Sequence, residues 1–237
     1  MPKRNTVEAN GEHHSTTTDD ASRSKKSKAA SDALIDAANS RPAQEFQSLY
    51  IKSERLIYST RDDTRLNITF KASSQLTNDE LDACLHLIDT TSRHDYEASS
   101  WGWHPRRKKR EMKEAEMRYL LVHNASDETQ AIQGFLSFML THDSTPSVPV
   151  VYVYEVHLAA TWRGVGLGAH LMSIAESVAA EVGVEKIMLT CFCSNEKARA
   201  FYEGRGYAVD ASSPEDRRTR GKVVKVDYVI MSKDVVK

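Results

Sequence analysis

The chain has 237 residues, with 32 Lys and Arg residues against 33 Asp and Glu residues, so its formal net charge is −1. Hydrophobic residues make up 40% of it and charged residues 27%, which is the usage of a globular protein with a sizeable core. No run approaches the roughly eighteen apolar residues of a membrane-spanning helix, and residues 1–20 contain no apolar segment that could act as a secretory signal. These features argue against membrane insertion and secretion, and we expect one large soluble domain inside the cell.

The three cysteines, Cys84, Cys191 and Cys193, form no CxxC pair, so neither a disulfide framework nor a zinc site is predicted. Cys191 and Cys193 alternate within a strand-like run, as small hydrophobic side chains do on one face of a buried strand. The nine His residues show no metal-ligand spacing. We therefore expect no metal.

The first part of the chain differs in composition from the rest. Residues 1–27 are mostly Ser, Thr, Lys, Asp and Ala with few large apolar side chains, and they are predicted to be a disordered tail. The basic run SRSKKSK at its end is either a nuclear address or a solubilising segment. Residues 28–64 are predicted to form a helical segment and a linker packed on the main domain, because an apolar stripe of helical spacing precedes Pro42. The main domain is predicted over residues 65–237.

The main domain opens with the predicted strand RLNITFKAS, whose apolar residues alternate with polar ones. A long amphipathic helix follows, and Thr77 and Glu80 form its capping box. The basic segment HPRRKKREMK comes next. Because Glu111, Glu114 and Glu116 follow at helical spacing, this segment is interpreted as a solvated, salt-bridged helix face and not as a nucleic-acid-binding stripe.

The second half of the domain reads as strands that alternate with helices. The segments YLLVHN, AIQGFLSFMLTH and VPVVYVYEVHL are predicted strands, and the helix LGAHLMSIAESVAAEVG is predicted to end at Gly183. A strand VEKIMLTCFC, a helix NEKARAFYEGRG and the final strands YAVD and VVKVDYVIMSKD complete the order. This order predicts a mixed α/β fold, in which ligand-binding loops lie at the carboxyl ends of strands.

The loop in TWRGVGLGAHLM stands directly before one of these helices, with the spacing Arg163-x-x-Gly166-x-Gly168. It matches neither G-x-G-x-x-G nor the phosphate loop that ends in Lys-Ser/Thr. Glycines let main-chain N–H groups approach a ligand, and a helix N-terminus attracts anions, so a pyrophosphate held by amides is one interpretation. A glycine-rich turn that lets the helix pack close to a strand is the other, and this segment alone does not separate them.

The strand VVYVYEVHL, the glycine loop, an amphipathic helix, the strand IMLTCF and the segment NEKARAFYEGRGY follow one another in this order. Together they resemble the GCN5-related N-acetyltransferase (GNAT) superfamily over about residues 65–232. The resemblance implies an α/β GNAT fold, with a mixed, mostly antiparallel central sheet flanked by helices and an extra N-terminal helical segment. It also implies acetyl-coenzyme A as cosubstrate, with its pyrophosphate on the glycine loop.

The same resemblance implies which residues bind the coenzyme. Asn195 falls where the superfamily often has a coenzyme-contacting Asn, and the main-chain amides of Val156 and Leu158 are implied to stabilise the tetrahedral oxyanion. The full set implied to bind acetyl-coenzyme A is Val156, His157, Leu158, Arg163, Gly164, Val165, Gly166, Leu167, Gly168, Thr190 and Asn195.

A narrower resemblance rests on YEASSWGW, followed by a charged helix, VYVYEVHL, LTCFCSN and DASSPED. These segments resemble the NatD type of N-terminal acetyltransferases, which acetylate the α-amine of histones H-four and H-two-A, whose chains begin Ser-Gly-Arg-Gly. The resemblance implies histone tails as the protein substrate, action as a monomer without an auxiliary subunit, and a location in nucleus and cytoplasm, near nucleosomes or ribosomes. No membrane partner is implied.

Acetylation of an amine needs a neutral amine and a proton for the departing thiolate. An α-amine has a pKa of about 8, so a modest base suffices. The resemblance puts the NatD-type base at Glu155, for which a surface carboxylate on an edge strand is the alternative. Tyr202 falls where the superfamily places a Tyr near the thioester sulfur, and it is a candidate general acid. A core aromatic is the alternative for Tyr202, with water as the proton donor.

For the peptide, the resemblance implies aromatic walls around a small first residue, formed by Tyr96, Trp101, Tyr154 and Tyr228. Arg at the third substrate position calls for a carboxylate. Thr141 stands where the family's Asp is expected, so Asp143 is the predicted substitute.

Two other functions stay open from the sequence. The first is a GNAT acetyltransferase for a lysine or a small-molecule amine, against which the YEASSWGW run argues. The second is a catalytically idle acetyl-coenzyme A binder that tethers chromatin through its basic helix. An intact Glu155 beside an intact glycine loop favours the enzyme.

Overall fold

The computed structural model describes residues 33–143, 148–219 and 221–235, so the predicted tail over residues 1–27 lies outside the described residues. Residues 33–39 are helical. The helices that follow are α1 (Ala43–Tyr50), α2 (Asn78–Ala98), α3 (Pro105–Glu111), α4 (Leu167–Val182) and α5 (Glu196–Glu203). The strands are β1 (Ile57–Ser59), β2 (Arg65–Ala72), β3 (Arg118–Asn124), β4 (Ile132–His142), β5 (Pro149–Leu158), β6 (Lys186–Phe192), β7 (Ala208–Val209), β8 (Arg217–Thr219), β9 (Lys222–Val224) and β10 (Tyr228–Asp234).

Eight strands form one sheet in the order β1-β2-β3-β4-β5-β6-β10-β7. Only β5 and β6 pair in parallel, and the other neighbouring strands of this sheet pair antiparallel. The parallel pair needs a crossover connection, and α4 supplies it. The predicted mixed, mostly antiparallel sheet flanked by helices is confirmed.

The helices cover the two faces of the sheet with separate cores. On one face, α4 and α1 pack against the sheet, and Phe46 of α1 is fully buried, with its ring 5.5 Å from that of Phe70. On the other face, Leu81, Cys84 and Ile88 of α2 are buried at helical spacing. The predicted capping box of α2 is present, and α4 ends at Gly183 in a left-handed conformation, as predicted.

Two parts of the sheet differ from the sequence-based expectation. Strand β1 lies before residue 65, where the main domain is predicted to begin, and with three half-exposed residues it is too short for an alternation signal. The segment VVKVDYVIMSKD is not one strand. Val223 and Val224 belong to the separate β8–β9 hairpin and are half exposed, and only Tyr228–Asp234 joins the sheet. In the described part of the chain, no helix is long and apolar enough to cross a bilayer.

Candidate active site

The site lies where β5 and β6 separate. The two strands pair from Val150 to Val153 of β5 and no further. Opposite, the register of β4 and β5 shifts, so that Tyr154 is an extra residue between Val153 and Glu155. A cavity of about 290 Å³ opens beyond this point between the two strands.

Glu155 lines this cavity, and it is only 8% exposed. Its Oε1 atom accepts hydrogen bonds from the Tyr96 hydroxyl at 3.1 Å and from Lys108 Nζ at 2.9 Å. Its Oε2 atom lies 2.6 Å from Nε2 of His157. The alternative of a surface carboxylate at Glu155 is therefore excluded.

The contacts of Glu155 determine its charge. Burial raises the pKa of this carboxyl, but the charge of Lys108 and the hydrogen bond from His157 outweigh burial and lower the pKa to about 2. Burial lowers the pKa of Lys108, and the charge of Glu155 raises it overall. At neutral pH the cavity therefore holds a carboxylate and an ammonium group in contact.

Lys108 corrects the interpretation of the basic segment. Helix α3 ends at Glu111, so Glu114 and Glu116 do not continue it. Lys108 lies four residues before the buried Met112, a spacing that turns both side chains to the same side of a helix. The solvated-face prediction is wrong for Lys108, although its neighbours Arg107 and Arg110 are exposed.

Aromatic rings form much of the cavity wall. They belong to Tyr96, Trp101, Tyr152, Tyr154, Phe192 and Tyr202. Tyr228 is not a lining residue, but its ring packs on that of Trp101 at 4.9 Å between centroids. Tyr152 is not among the residues predicted for the site, and its hydroxyl lies 2.5 Å from Thr190 Oγ1. Its spacing of two residues from Tyr154 on one strand is the signal that could have found it.

A second cavity of about 810 Å³ runs from this site along the end of β5 to the starts of α4 and α5. Of the residues implied to bind the coenzyme, it is lined by Val156, His157, Leu158, Arg163, Gly164, Gly166, Gly168 and Asn195. Thr190 lines the first cavity instead. The side chains of Val165 and Leu167 do not reach the second cavity, because Leu167 is buried in the core and Val165 is exposed at the other side of the loop.

The backbone of the glycine loop is suited to bind an anion. Gly164 and Gly166 have φ values of +77° and +91°, which favour glycine. No acceptor among the described residues takes a hydrogen bond from the N–H groups of Gly164, Val165 or Gly166. Close packing does not explain the loop at Gly168, where an added Cβ would make ordinary contacts at 3.7 Å. The free amides precede α4, whose N-terminus adds its own N–H groups and positive dipole end.

Asn195 and Tyr202 lie at the junction of the two cavities, and both line each of them. Asn195 caps α5 by accepting a hydrogen bond from the Ala198 N–H at 3.1 Å, and its Nδ2 atom donates to Asp95 at 3.2 Å. Tyr202 packs on Phe201, as a core aromatic residue would, and it also lines both cavities. Burial raises the pKa of Tyr202, which keeps the phenol protonated.

The chain is similar to known acetyltransferases in sequence. The model of the Acetyltransferase (GNAT) family matches residues 82–207. N-alpha-acetyltransferase 40 of Saccharomyces cerevisiae is 31% identical over 208 residues, which are 73% of this chain and 73% of that protein. The chain belongs to the GNAT acetyltransferase family. N-alpha-acetyltransferase 40 of Saccharomyces cerevisiae is one of its relatives. The chain is an acetyltransferase, and this relative supports N-terminal acetylation.

Solved structures give the same fold for this GNAT protein. Arabidopsis thaliana NAA60 in complex with a bisubstrate analogue has a TM-score of 0.53 at 10% identity, covering 71% of this chain and 98% of that one. A NatC complex bound to Gag peptide and CoA has a TM-score of 0.51 at 16% identity, covering 71% and 99%. At these identities the likeness concerns the fold alone.

Asp143 lies outside both cavities of this acetyltransferase. It is 7% exposed, and its carboxylate lies 3.2 Å from Lys186 Nζ, which also contacts Asp210 at 2.5 Å. Asp143 follows His142, the last residue of β4, which pairs with Pro149 of β5. Pro149 lies six positions before Glu155 along β5. The ion pair with Lys186 already uses the Asp143 carboxylate, and the role of Asp143 as a substitute for an Asp at Thr141 stays a prediction. The sequence has no local signal for this pairing.

Within residues 33–143, 148–219 and 221–235, no group of three His, Cys, Asp or Glu side chains could hold a metal ion. The prediction that no metal is used rests on the sequence and is not tested by this finding.

Proposed function

We propose that this acetyltransferase transfers the acetyl group of acetyl-coenzyme A to the α-amine of protein chains that begin Ser-Gly-Arg-Gly, as histones H-four and H-two-A do. The observation that carries the proposal is the buried carboxylate of Glu155 in an aromatic cavity that joins the cavity of the glycine loop. The relative named N-alpha-acetyltransferase 40 supports an α-amine over other amines.

Residues of the second cavity fit the coenzyme. The unpaired amides of Gly164, Val165 and Gly166 would hold the pyrophosphate, and Arg163 lies beside them. When bound, acetyl-coenzyme A would supply a thioester, which has an electrophilic carbonyl carbon and a thiolate as its leaving group. Val156 and Leu158 lie on β5 beyond Val153, the last residue of β5 that pairs with β6. The main-chain amides of Val156 and Leu158 are therefore available to stabilise the oxyanion.

The reaction begins with the neutral α-amine, whose lone pair attacks the thioester carbonyl carbon. Glu155 accepts a proton from the nitrogen, the C–S bond breaks, and the thiolate takes a proton from Tyr202 or from water. Glu155 is suited to this role because it is ionised at neutral pH. Tyr202 is suited to its role because burial keeps its hydroxyl protonated beside both cavities.

The first residue of the substrate would lie between aromatic rings. Tyr96, Tyr152 and Tyr154 line a cavity of about 290 Å³, which suits a small side chain such as Ser. Trp101 is 39% exposed at the cavity and is backed by Tyr228, so it would contact the following peptide units.

Acetylation of histones implies contact with histone tails in the nucleus, or with nascent chains at ribosomes in the cytoplasm, and the chain is proposed to act as a monomer.

The rival functions, which are acetylation of a lysine or small-molecule amine and idle coenzyme binding, give different products. The test offers acetyl-coenzyme A and the peptide Ser-Gly-Arg-Gly-Lys, with its α-amine free or blocked, and locates the acetyl group by fragment mass spectrometry.

Transfer to the free α-amine alone is the expected result. Transfer to the lysine of the blocked peptide would overturn the proposal in favour of a lysine acetyltransferase. No transfer to either peptide, with coenzyme bound, would favour a small-molecule enzyme or an idle binder.

A further inference from the structure

A third cavity of about 330 Å³ lies between the end of α2 and helix α3, beside the first cavity. The first and third cavities share Tyr96, Trp101, Lys108 and Glu111 as lining residues. Of the described residues that line the third cavity, none lines the cavity of the glycine loop. A peptide whose α-amine lies beside Glu155 therefore has the coenzyme on one side and the third cavity on another.

The walls of the third cavity combine aromatic rings with one carboxylate. Trp101 and Trp103 both line it, and their rings lie 6.4 and 5.3 Å from the ring of Tyr96 between centroids. Among the described residues that line it, Glu111 is the one acidic side chain. A guanidinium forms charge-assisted hydrogen bonds with a carboxylate and stacks on aromatic faces. This combination of groups therefore suits an arginine side chain.

The carboxylate of Glu111 has one oxygen that is open to a ligand. Its Oε1 atom lies 2.6 Å from Lys108 Nζ, whereas no donor from the part of the chain that the structure describes contacts its Oε2 atom. The side chain is 36% exposed, so a ligand can approach it. Because a carboxylate accepts several hydrogen bonds, the contact with Lys108 does not prevent a further one.

The charges around Glu111 favour the entry of a cation. Lys108 contacts both Glu155 and Glu111, so two carboxylates share one ammonium group and the three side chains carry a formal charge of −1. A guanidinium in the third cavity would neutralise this charge. Two basic side chains, His104 and Arg107, also line the third cavity, and Arg107 is exposed. The charge of Arg107 would repel a guanidinium, and this effect can be measured separately.

We propose that Glu111 holds the arginine at the third position of the substrate, with Trp101 and Trp103 as the aromatic walls around its guanidinium. The inference rests on the proposed function and deepens it, because it assigns the residue that selects this arginine. Two residues of extended chain span about 7 Å, so a peptide with its amine at Glu155 has its third residue outside the first cavity. From there the long arginine side chain reaches Glu111, which lines both the first and the third cavity.

Two other carboxylates are less suited to this role. Glu155 is 8% exposed, and both of its oxygens already have partners among the surrounding side chains. Asp143, which the sequence predicts for the role, lines none of the three cavities and contacts Lys186. Glu111 is therefore the carboxylate that a peptide leaving the first cavity towards α3 meets.

The test compares the peptide Ser-Gly-Arg-Gly-Lys with a peptide that carries citrulline in place of arginine, because citrulline keeps the shape of the side chain and lacks its charge. The ratio of the two kcat/KM values measures selection of the guanidinium charge. We expect a ratio of about ten or more for the unsubstituted protein, and Glu111→Gln should lower it to within about twofold of one. Loss of the contact with Lys108 affects both peptides alike, so the ratio isolates the arginine contact.

Glu114→Gln is the matched control. Glu114 is exposed three residues after Glu111 and lines none of the three cavities, so its substitution should leave the ratio unchanged. Arg107→Gln is a second variant with the opposite effect. It removes a like charge from the third cavity, so it should raise the ratio by about twofold to fivefold.

Several outcomes would overturn the inference while α-amine acetylation stands. They are a ratio of one in the unsubstituted protein, an unchanged ratio in Glu111→Gln, and an equal fall in Glu114→Gln. A ratio that is lost in Asp143→Asn and kept in Glu111→Gln would assign the arginine to Asp143. If Glu111→Gln does not fold, Arg107→Gln decides, and a ratio that does not rise overturns the inference. If the unsubstituted protein acetylates the α-amine of neither peptide, the proposed function itself has failed.

Discussion

Lys108 Nζ lies 2.9 Å from Glu155 Oε1, and the two side chains are 9% and 8% exposed. A buried ion pair of this kind contributes little net stability, but loss of one partner leaves the other charge without compensation. Lys108 also contacts Glu111 at 2.6 Å, which lines the same cavity. The ion pair therefore links the position of α3 to the ionised state of Glu155, the candidate base.

Lys108→Met is predicted to lower the free energy of unfolding by about 3 to 5 kcal/mol, because the Glu155 carboxylate would stay buried without its ammonium partner. Chemical denaturation measures this change. Lys109→Met is the control, because Lys109 contacts Asp82 at the surface and such pairs contribute about 1 kcal/mol or less. Equal effects of the two substitutions would contradict the account of the pair.

The pH dependence of stability follows from the lowered pKa of Glu155. The folded-state pKa of about 2 lies below the ordinary value of 4.5, so the ionised group stabilises the folded protein above about pH 4.5. This contribution is lost as pH falls from about 4.5 towards 2. We expect the difference in unfolding free energy between the protein and its Glu155→Gln variant to be constant above pH 4.5 and to change steadily below it. A difference that does not vary with pH would show that the carboxyl titrates alike in both states.

Gly166→Ala is predicted to weaken acetyl-coenzyme A binding more than Gly164→Ala. Both positions have positive φ, but a Cβ at residue 166 would also meet the Tyr58 hydroxyl at 2.7 Å, whereas nothing lies within 4 Å of one at residue 164. We expect about a tenfold or larger increase in Kd, from backbone strain of ~1 to 2 kcal/mol and the clash. Isothermal calorimetry measures it. Tyr58→Phe in the Gly166→Ala background should recover part of the loss, and identical Kd values for the two glycine variants would argue against the clash.

Asp143→Asn is predicted to affect stability and not substrate selection. Among the residues that the structure describes, it leaves Lys186 with Asp210 as an ionic partner, so the free energy of unfolding should fall by about 1 to 2 kcal/mol. KM should stay within about twofold for Ser-Gly-Arg-Gly and Ser-Gly-Ala-Gly peptides alike. An increase in KM confined to the arginine peptide would show that Asp143 holds the substrate arginine, as the sequence predicts.

Much of the fold was predictable because its signals are local. The capping box of Thr77 and Glu80 begins α2 as predicted, and Gly183 ends α4. Strand β1 and the β8–β9 hairpin were missed because three-residue strands give no measurable alternation. Their pairing depends on neighbours distant in sequence.

The residue types of the site were predicted from the sequence, but the contacts between these residues were not. Glu155 and the aromatic residues follow from a resemblance that matches residue types along the chain. The contact of Lys108 with Glu155 spans 47 positions and that of Thr91 with His157 spans 66, so no local pattern announces either one. For the same reason the ion pair of Asp143 with Lys186 could not be predicted from the sequence.

The central claim is that Glu155 takes the proton of an attacking α-amine, and kcat for the Ser-Gly-Arg-Gly-Lys peptide tests it most directly. Glu155→Gln keeps the size of the side chain and removes its charge, and Glu203→Gln, on the exposed face of α5 outside both cavities, is the matched control. We predict that Glu155→Gln lowers kcat by about 10² to 10⁴-fold with acetyl-coenzyme A still bound, while Glu203→Gln has no effect. A Glu155→Gln variant with the full kcat would contradict the account.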